Sequence, residues 1–141
     1  MSASHSLFAR VQENFDTQRV MLLLGARLEA VELGRVVIEL PYRDDLTQQD
    51  GFFHAGVITT VVDSACGYAA WTLMPEGHRV LSVEFKVNLM APAIGDRLWA
   101  MGTVRRAGRT LTVCNGVAEV PDGDKRKEVA LMQATMIGLP S

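Results

Sequence analysis

The feature of this sequence that most constrains its fold is the stretch at residues 55–73. Within it Val57, Ile58, Val61, Val62, Ala65, Cys66, Ala69 and Ala70 recur at the i, i+3, i+4 spacing of an α-helix. The residues between them are Thr, Ser, Gly or aromatic, so this helix has no charged face to turn to water and has to be enclosed. Pro75-Glu76-Gly77 ends it. One carboxylate, Asp63, stands between Phe52 and Pro75.

The enclosing material follows directly. Residues 80–90, 96–106, 110–120 and 128–138 are runs rich in Val, Leu and Thr, separated by short turn-forming segments that carry Gly95, Gly108 and Gly123. Connections this short predict strands that are antiparallel neighbours in chain order. Ahead of the helix, residues 26–31 and 35–40 flank Leu33-Gly34 and predict a β-hairpin that Pro41 terminates. Residues 42–53 are polar and predict a loop. Residues 6–24 carry apolar positions at helical spacing and predict one or two amphipathic helices lying across the larger body. The expected class is α+β, a six-stranded antiparallel sheet wrapped around a long central helix. One domain over 1–141 is expected, with an N-terminal helical segment at 1–24, the central helix at 55–73 and the later strands at 80–138. A hydrophobic share of 48% against 21% charged residues is enough for a single core of this length.

Composition also narrows the partners. A formal net charge of −2, with both signs mixed along the chain, gives no field to gather nucleic acid or an anionic membrane. No apolar run approaches the roughly 18–20 residues of a membrane span. The first sixteen or so residues place charges where a signal peptide needs its apolar stretch, so a cytoplasmic protein is expected. Cys66 and Cys114 form no CxxC pair and read as small buried hydrophobes. His5, His54 and His78 lack ligand spacing, so no metal is expected. Ser64 and Ser82 lack the context of a nucleophile elbow. No glycine-rich phosphate loop occurs.

Chemistry then falls to Asp63. An unpaired charge in the middle of an apolar helix costs several kcal/mol, so it requires a partner, a neutral form or a water-lined pocket. It is either a carboxylate tied to a helix end or to an arginine of another subunit, or a general base or nucleophile made reactive by partial desolvation. His54-Ala55-Gly56 opens the helix, where first-turn amides lack intrahelical acceptors and the macrodipole favours negative charge. Gly56 could present its N–H as an oxyanion hole, or could simply relieve crowding at the helix start. Seven residues separate Gly56 from Asp63, about 10 Å at ~1.5 Å per residue. One reacting carbonyl can therefore meet both groups only if they come from two copies of the chain, which predicts a homodimer with composite sites.

The run from Phe53 through His54, Ala55, Gly56 and Asp63 to Ala70 resembles the His-Gly-Gly…Asp signature of the hotdog-fold thioesterases, nearest to their PaaI-like, phenylacetate-degradation branch. Residues 80–93 resemble that family's next strand and residues 104–109 its following hairpin, so that the likeness spans about 25–138. The resemblance implies a hotdog fold, dimers often paired into dimers of dimers, and hydrolysis of acyl-CoA thioesters with no cofactor beyond the CoA of the substrate. It places Asp63 at the catalytic carboxylate, Gly56 at the oxyanion amide and Ser82 at a hydroxyl that helps position water. It implies that His54 shapes the pocket or binds the thioester side, although a lone histidine can equally be a structural one, and Phe53 and Ala55 beside it are candidates for substrate contact. Two departures stand out. Ala55 replaces the first Gly of the pair, and Gln48 stands where an Asn that orients water or thioester is usual. Gln keeps the amide and moves it by one methylene, about 1.5 Å.

For the CoA phosphates, Arg105, Arg106 and Arg109 bracket a tight turn and suit guanidinium recognition, although a solvated hairpin carries the same residues. Arg79 and Lys86 are the other nearby cations, and Phe52, Phe53 and Tyr68 are candidates to line the acyl end. The competing function is a hotdog module that binds acyl-CoA without hydrolysing it, which Gln48 keeps open. A hydratase-type hotdog fits the pattern poorly.

Overall fold

Helix α3, Ala55–Trp71, buries Ile58, Val61, Val62, Ala65, Cys66, Tyr68, Ala69 and Ala70. In the computed structural model, which describes residues 3–141 with side chains from Ser6 onward, this helix is the axis around which everything else is arranged. Thr59 and Thr60 sit in its first turns because their hydroxyls donate to the carbonyls of Ala55 and Gly56, each four residues back, at 2.8 Å. That back-bonding satisfies a hydroxyl without a partner from outside the helix.

The sheet curls over α3. Its strands are β1 (Arg27–Glu32), β2 (Arg35–Pro41), β3 (His78–Leu89), β4 (Arg97–Ala107), β5 (Leu111–Asp122) and β6 (Lys125–Pro140). They run antiparallel in the order β1-β2-β4-β5-β6-β3, and α3 packs against β2 through β6. The architecture is thus the six-stranded antiparallel sheet around one long helix that the sequence predicts. The alternating burial of β5, with Thr112, Cys114, Gly116, Ala118 and Val120 facing in, is the period-two pattern of a sheet with one covered face.

One expectation fails. β3 and β4 are consecutive and joined by a short link, yet they are not neighbours. β3 pairs with β6 at the sheet edge, and β4 inserts between β2 and β5. The link is held across the end of the curled sheet: Met90 N–H donates to Val129 O, Phe53 N–H to Ala93 O and Tyr42 N–H to Asp96 O. Curvature brings distant strands close at that end, so a short connection does not imply an adjacent pair.

Two glycines that face each other across β4 and β5, Gly102 and Gly116, set how closely the helix lies on the sheet. A Cβ on Gly102 would run into the backbone of Ala65, and one on Gly116 into Val62 and Cys66. The helix contributes small residues at the same contact, so two backbones meet where side chains would otherwise hold them apart.

The N-terminal segment forms α1 (Ala3–Phe15) and α2 (Arg19–Leu24). They bury Val11, Phe15, Met21 and Leu24, and Phe15 meets Tyr68 of α3 with ring centroids 5.9 Å apart. Gly25, at φ +75°, caps α2 in the left-handed conformation and turns the chain into β1. The expected histidine at position 5 lies outside the residues whose side chains are described. Among the described residues no helix is long and apolar enough to cross a membrane.

Candidate active site

Asp63 projects from the middle of α3 and is half-buried. The Ser82 hydroxyl of β3 donates to its Oδ1 at 2.7 Å and also lies 3.3 Å from Met136 Sδ. Register places Ser82 opposite Met136 on the inward face of β3 and β6, so the sheet delivers the hydroxyl to the helix. Among the described residues no ion pair involves Asp63. Its charge is met by one hydroxyl and by an open cavity of about 210 Å³. That cavity has Asp63 and Ser82 on one side, Val80 and Met136 on the sheet side, and Asn14, Gln18, Ser64 and Tyr68 on the other.

The polar wall is a connected chain of hydrogen bonds. Ser64 Oγ donates to Gln18 Oε1 at 2.9 Å, Gln18 Nε2 donates to the Tyr68 hydroxyl at 2.9 Å, and that hydroxyl donates to Asn14 Oδ1 at 3.0 Å. Burial pushes the Tyr68 phenol above its usual range, against the opposing pull of its bond from Gln18, so it remains a donor at neutral pH. Sequence reasoning missed Asn14, Gln18 and Ser64. The available signal was faint: two amides four residues apart, set among the apolar positions Val11, Phe15 and Met21.

A second group gathers at the start of α3. His54 is the N-cap, and Gly56 N–H donates to its Nδ1 at 2.9 Å. The amide expected to receive a carbonyl oxygen is therefore held by the helix's own cap in this arrangement. A Cβ on Gly56 would crowd the imidazole at 3.1 to 3.2 Å, which gives the glycine a local reason as well. Gln48 is likewise engaged within its own loop. Its Oε1 accepts from Asp50 N–H at 2.6 Å and from Phe52 N–H at 3.1 Å, and its Nε2 donates to Asp50 Oδ2 at 3.3 Å. Phe53 is buried and packs edge-on against Tyr42, while Ala55 is exposed at the first helical position.

Within one chain, then, Asp63 meets Ser82, and His54 meets Gly56, but the two groups stay apart by about 10 Å along the helix. Arg105, Arg106 and Arg109 are exposed at the β4–β5 turn. Register runs from Ala107 through Thr112 and Met136 to Ser82, three strand steps or about 14 Å at ~4.8 Å each. No group of three or more His, Cys, Asp or Glu among the described residues is placed to hold a metal ion.

A sheet curled around a helix that carries a half-buried acid is the hotdog thioesterase class of structure. The chain belongs to the thioesterase superfamily, whose family model matches residues 50–126. It is 45% identical to a thioesterase family protein from Silicibacter pomeroyi, with a TM-score of 0.92 over 96% of this chain and 99% of that one. It is 31% identical over 117 residues to a candidate esterase of Halobacterium salinarum, covering 79% of this chain and 74% of that protein. The E. coli PaaI protein of the phenylacetic acid degradation operon shares the fold at 19% identity, with a TM-score of 0.86 over 99% and 98% of the two chains. Relatives of these kinds support a hydrolase.

Proposed function

We propose that this chain hydrolyses an acyl-CoA thioester to the free acid and CoA, with Asp63 as general base. The observation that carries the reading is the Asp63 carboxylate, half-buried on an apolar helix, oriented by Ser82 and open to a cavity large enough for an acyl group. In that role Asp63 takes a proton from water as the water oxygen bonds to the thioester carbon. The C–S bond then breaks and the proton passes to the departing thiolate. A nucleophilic attack by the carboxylate itself, through an anhydride that water opens, uses the same geometry.

The negative charge on the carbonyl oxygen needs a donor. Gly56 N–H at the positive end of α3 serves once the thioester oxygen replaces His54 Nδ1 as its acceptor, and a second copy supplies it because the two groups of one copy are too far apart. The edge of the sheet favours such a pairing. β3 is twelve residues long, bonds to β6 on one side only, and leaves Phe85 and Leu89 of its inward face 45% and 49% exposed. An unpaired apolar edge of this length is a template for another strand. Two β3 strands joined about a two-fold axis would set two α3 helices side by side and antiparallel. An axis level with the middle of the span from Gly56 to Asp63 brings each acid to the other copy's helix start. A dimer of dimers, and CoA phosphates held at Arg105, Arg106 and Arg109, extend the same reading.

A non-hydrolytic acyl-CoA-binding module is the second reading. It draws support from His54 and Gln48, which spend their polar atoms on Gly56 and on the 48–52 loop. Thiol release from a panel of aliphatic and aryl acyl-CoAs separates the two. Wild type is expected to release CoA, and Asp63→Asn to lose about a hundredfold or more in kcat with its oligomeric state intact. Binding without release by wild type would favour the module.

A further inference from the structure

The one proton of the Ser82 hydroxyl faces two acceptors, Asp63 Oδ1 on α3 at 2.7 Å and Met136 Sδ on β6 at 3.3 Å. A hydroxyl carries a single donor, so only one of them can hold it at full strength. The Asp63 carboxylate wins that contest, because a charge-assisted bond is roughly twice as strong as a neutral one. The sulfur is redundant while Asp63 is ionised and becomes useful when Asp63 gains a proton.

The sulfur is also held in place. Met136 is fully buried, and register sets it between Ser82 of β3 and Thr112 of β5 on the inward face. β3 shifts register directly after this point, between Ser82 and Glu84. A bulge there bends the strand and re-aims the hydroxyl. Methionine often serves only to fill a core, but leucine fills nearly the same volume. What leucine lacks is an acceptor.

We propose that Met136 is a positioning residue for the hydrolysis: its thioether receives the Ser82 hydroxyl as Asp63 becomes protonated, and so eases proton transfer from the attacking water. The proposal rests on the reading of Asp63 as general base.

Before reaction the Ser82 O–H donates to Asp63 Oδ1, which leaves Oδ2 for the water. As the water oxygen bonds to the thioester carbon, a water proton passes to Oδ2. The carboxyl is then neutral, and Oδ1 keeps the Ser82 proton by an ordinary bond in place of a charge-assisted one. That lost attraction opposes the transfer. Rotation about the Ser82 Cβ–Oγ bond turns the hydroxyl hydrogen to Met136 Sδ, which returns part of the loss. When the C–S bond breaks, Asp63 gives its proton to the departing thiolate, regains its charge and draws the hydroxyl back. The sulfur forms no covalent bond and gives up no electron. Its contribution appears only as Asp63 loses charge, so it enters kcat and leaves substrate affinity alone.

The test is a double-mutant cycle on the full chain, read as steady-state thiol release from the best acyl-CoA of the panel. Met136→Leu keeps the volume and removes the acceptor. Its kcat is expected to fall about threefold to fivefold, the worth of one weak hydrogen bond, with KM little changed. Met132→Leu makes the same exchange at the neighbouring inward position of β6 and should leave kcat as it is. In a Ser82→Ala background Met136→Leu should have no further effect, since the sulfur acts only through that hydroxyl. Norleucine incorporated in place of methionine keeps the side-chain shape and removes only sulfur, which covers the case in which leucine disturbs the packing. It should lower kcat by the same factor in wild type and leave Ser82→Ala unaffected. An equal fall in both backgrounds, a fall carried by KM, or no fall at all would overturn the role of Met136. No release by wild type, or release kept by Asp63→Asn, would remove the general base and this role with it. Release lost in Asp63→Asn, with equal kcat in wild type and Met136→Leu, removes the role of Met136 alone.

Discussion

Asp63 and Ser82 are nineteen residues apart in the chain and one hydrogen bond apart in space. A carboxylate acting as base has to present a chosen lone pair to water, and the Ser82 hydroxyl fixes which oxygen remains free. Ser82→Ala leaves the acid in place but unoriented. A hydrogen bond to a charged group is worth about 1.5–3 kcal/mol, so kcat should fall about tenfold to a hundredfold with KM little changed. Steady-state kinetics on one good thioester checks this, and an unchanged kcat would leave Ser82 a merely structural partner. His54 and Gln48, which the resemblance implies to be site residues, hydrogen-bond within their own helix start and loop in this arrangement. Their order in the chain was visible, but the direction of an imidazole nitrogen or an amide oxygen depends on local backbone geometry that no spacing encodes.

At the scale of elements, the decisive contact is α3 on the β4–β5 pair. Gly102→Ala would drive a methyl group into the Ala65 backbone, which cannot rotate aside. A loss of about 3 kcal/mol is expected, read as a lower urea midpoint at unchanged m-value. The same contact buries both cysteines. Burial, with lesser contributions from Cys114 and Asp63, raises the Cys66 thiol well above its ordinary range. Burial raises Cys114 from 9.0 to about 11. For a group raised in the folded state, the stabilisation is complete below the unfolded value and is lost as pH climbs through the folded one. Stability should therefore decline between about pH 9 and pH 11, and Cys114→Ala should flatten that decline in denaturation curves taken across the window. A slope identical in the two proteins would show that Cys114 does not contribute.

For the whole molecule the open question is the free edge of β3. A dimer through that edge predicts that Phe85→Asp yields monomers and that turnover falls with the loss of association, since each acid then lacks a partner copy's helix start. Light scattering alongside the thiol assay checks both. Active monomers would overturn the composite site. Exposed apolar residues on β3 are intelligible only at this scale. Phe85 and Leu89 lie on the face that the chain's own helix covers elsewhere, yet they remain uncovered at the edge.

The sequence by itself determined the enclosed helix, the strands that enclose it, and Asp63 as its one acid. These follow from hydrophobic period and from the cost of stranding a charge in an apolar helix, and both are local properties of the chain. It also determined that Gly56 and Asp63 cannot serve one carbonyl from one copy, because helix rise is fixed. Tertiary structure alone decided the rest. β3 went to the edge beside β6 because the sheet curls, and curvature is a property of many strands together. Gly102 and Gly116 became a contact surface because pairing set them side by side under α3. Asn14 and Gln18 reached Tyr68 and Ser64 across about fifty residues of chain, a separation over which residue spacing carries no information.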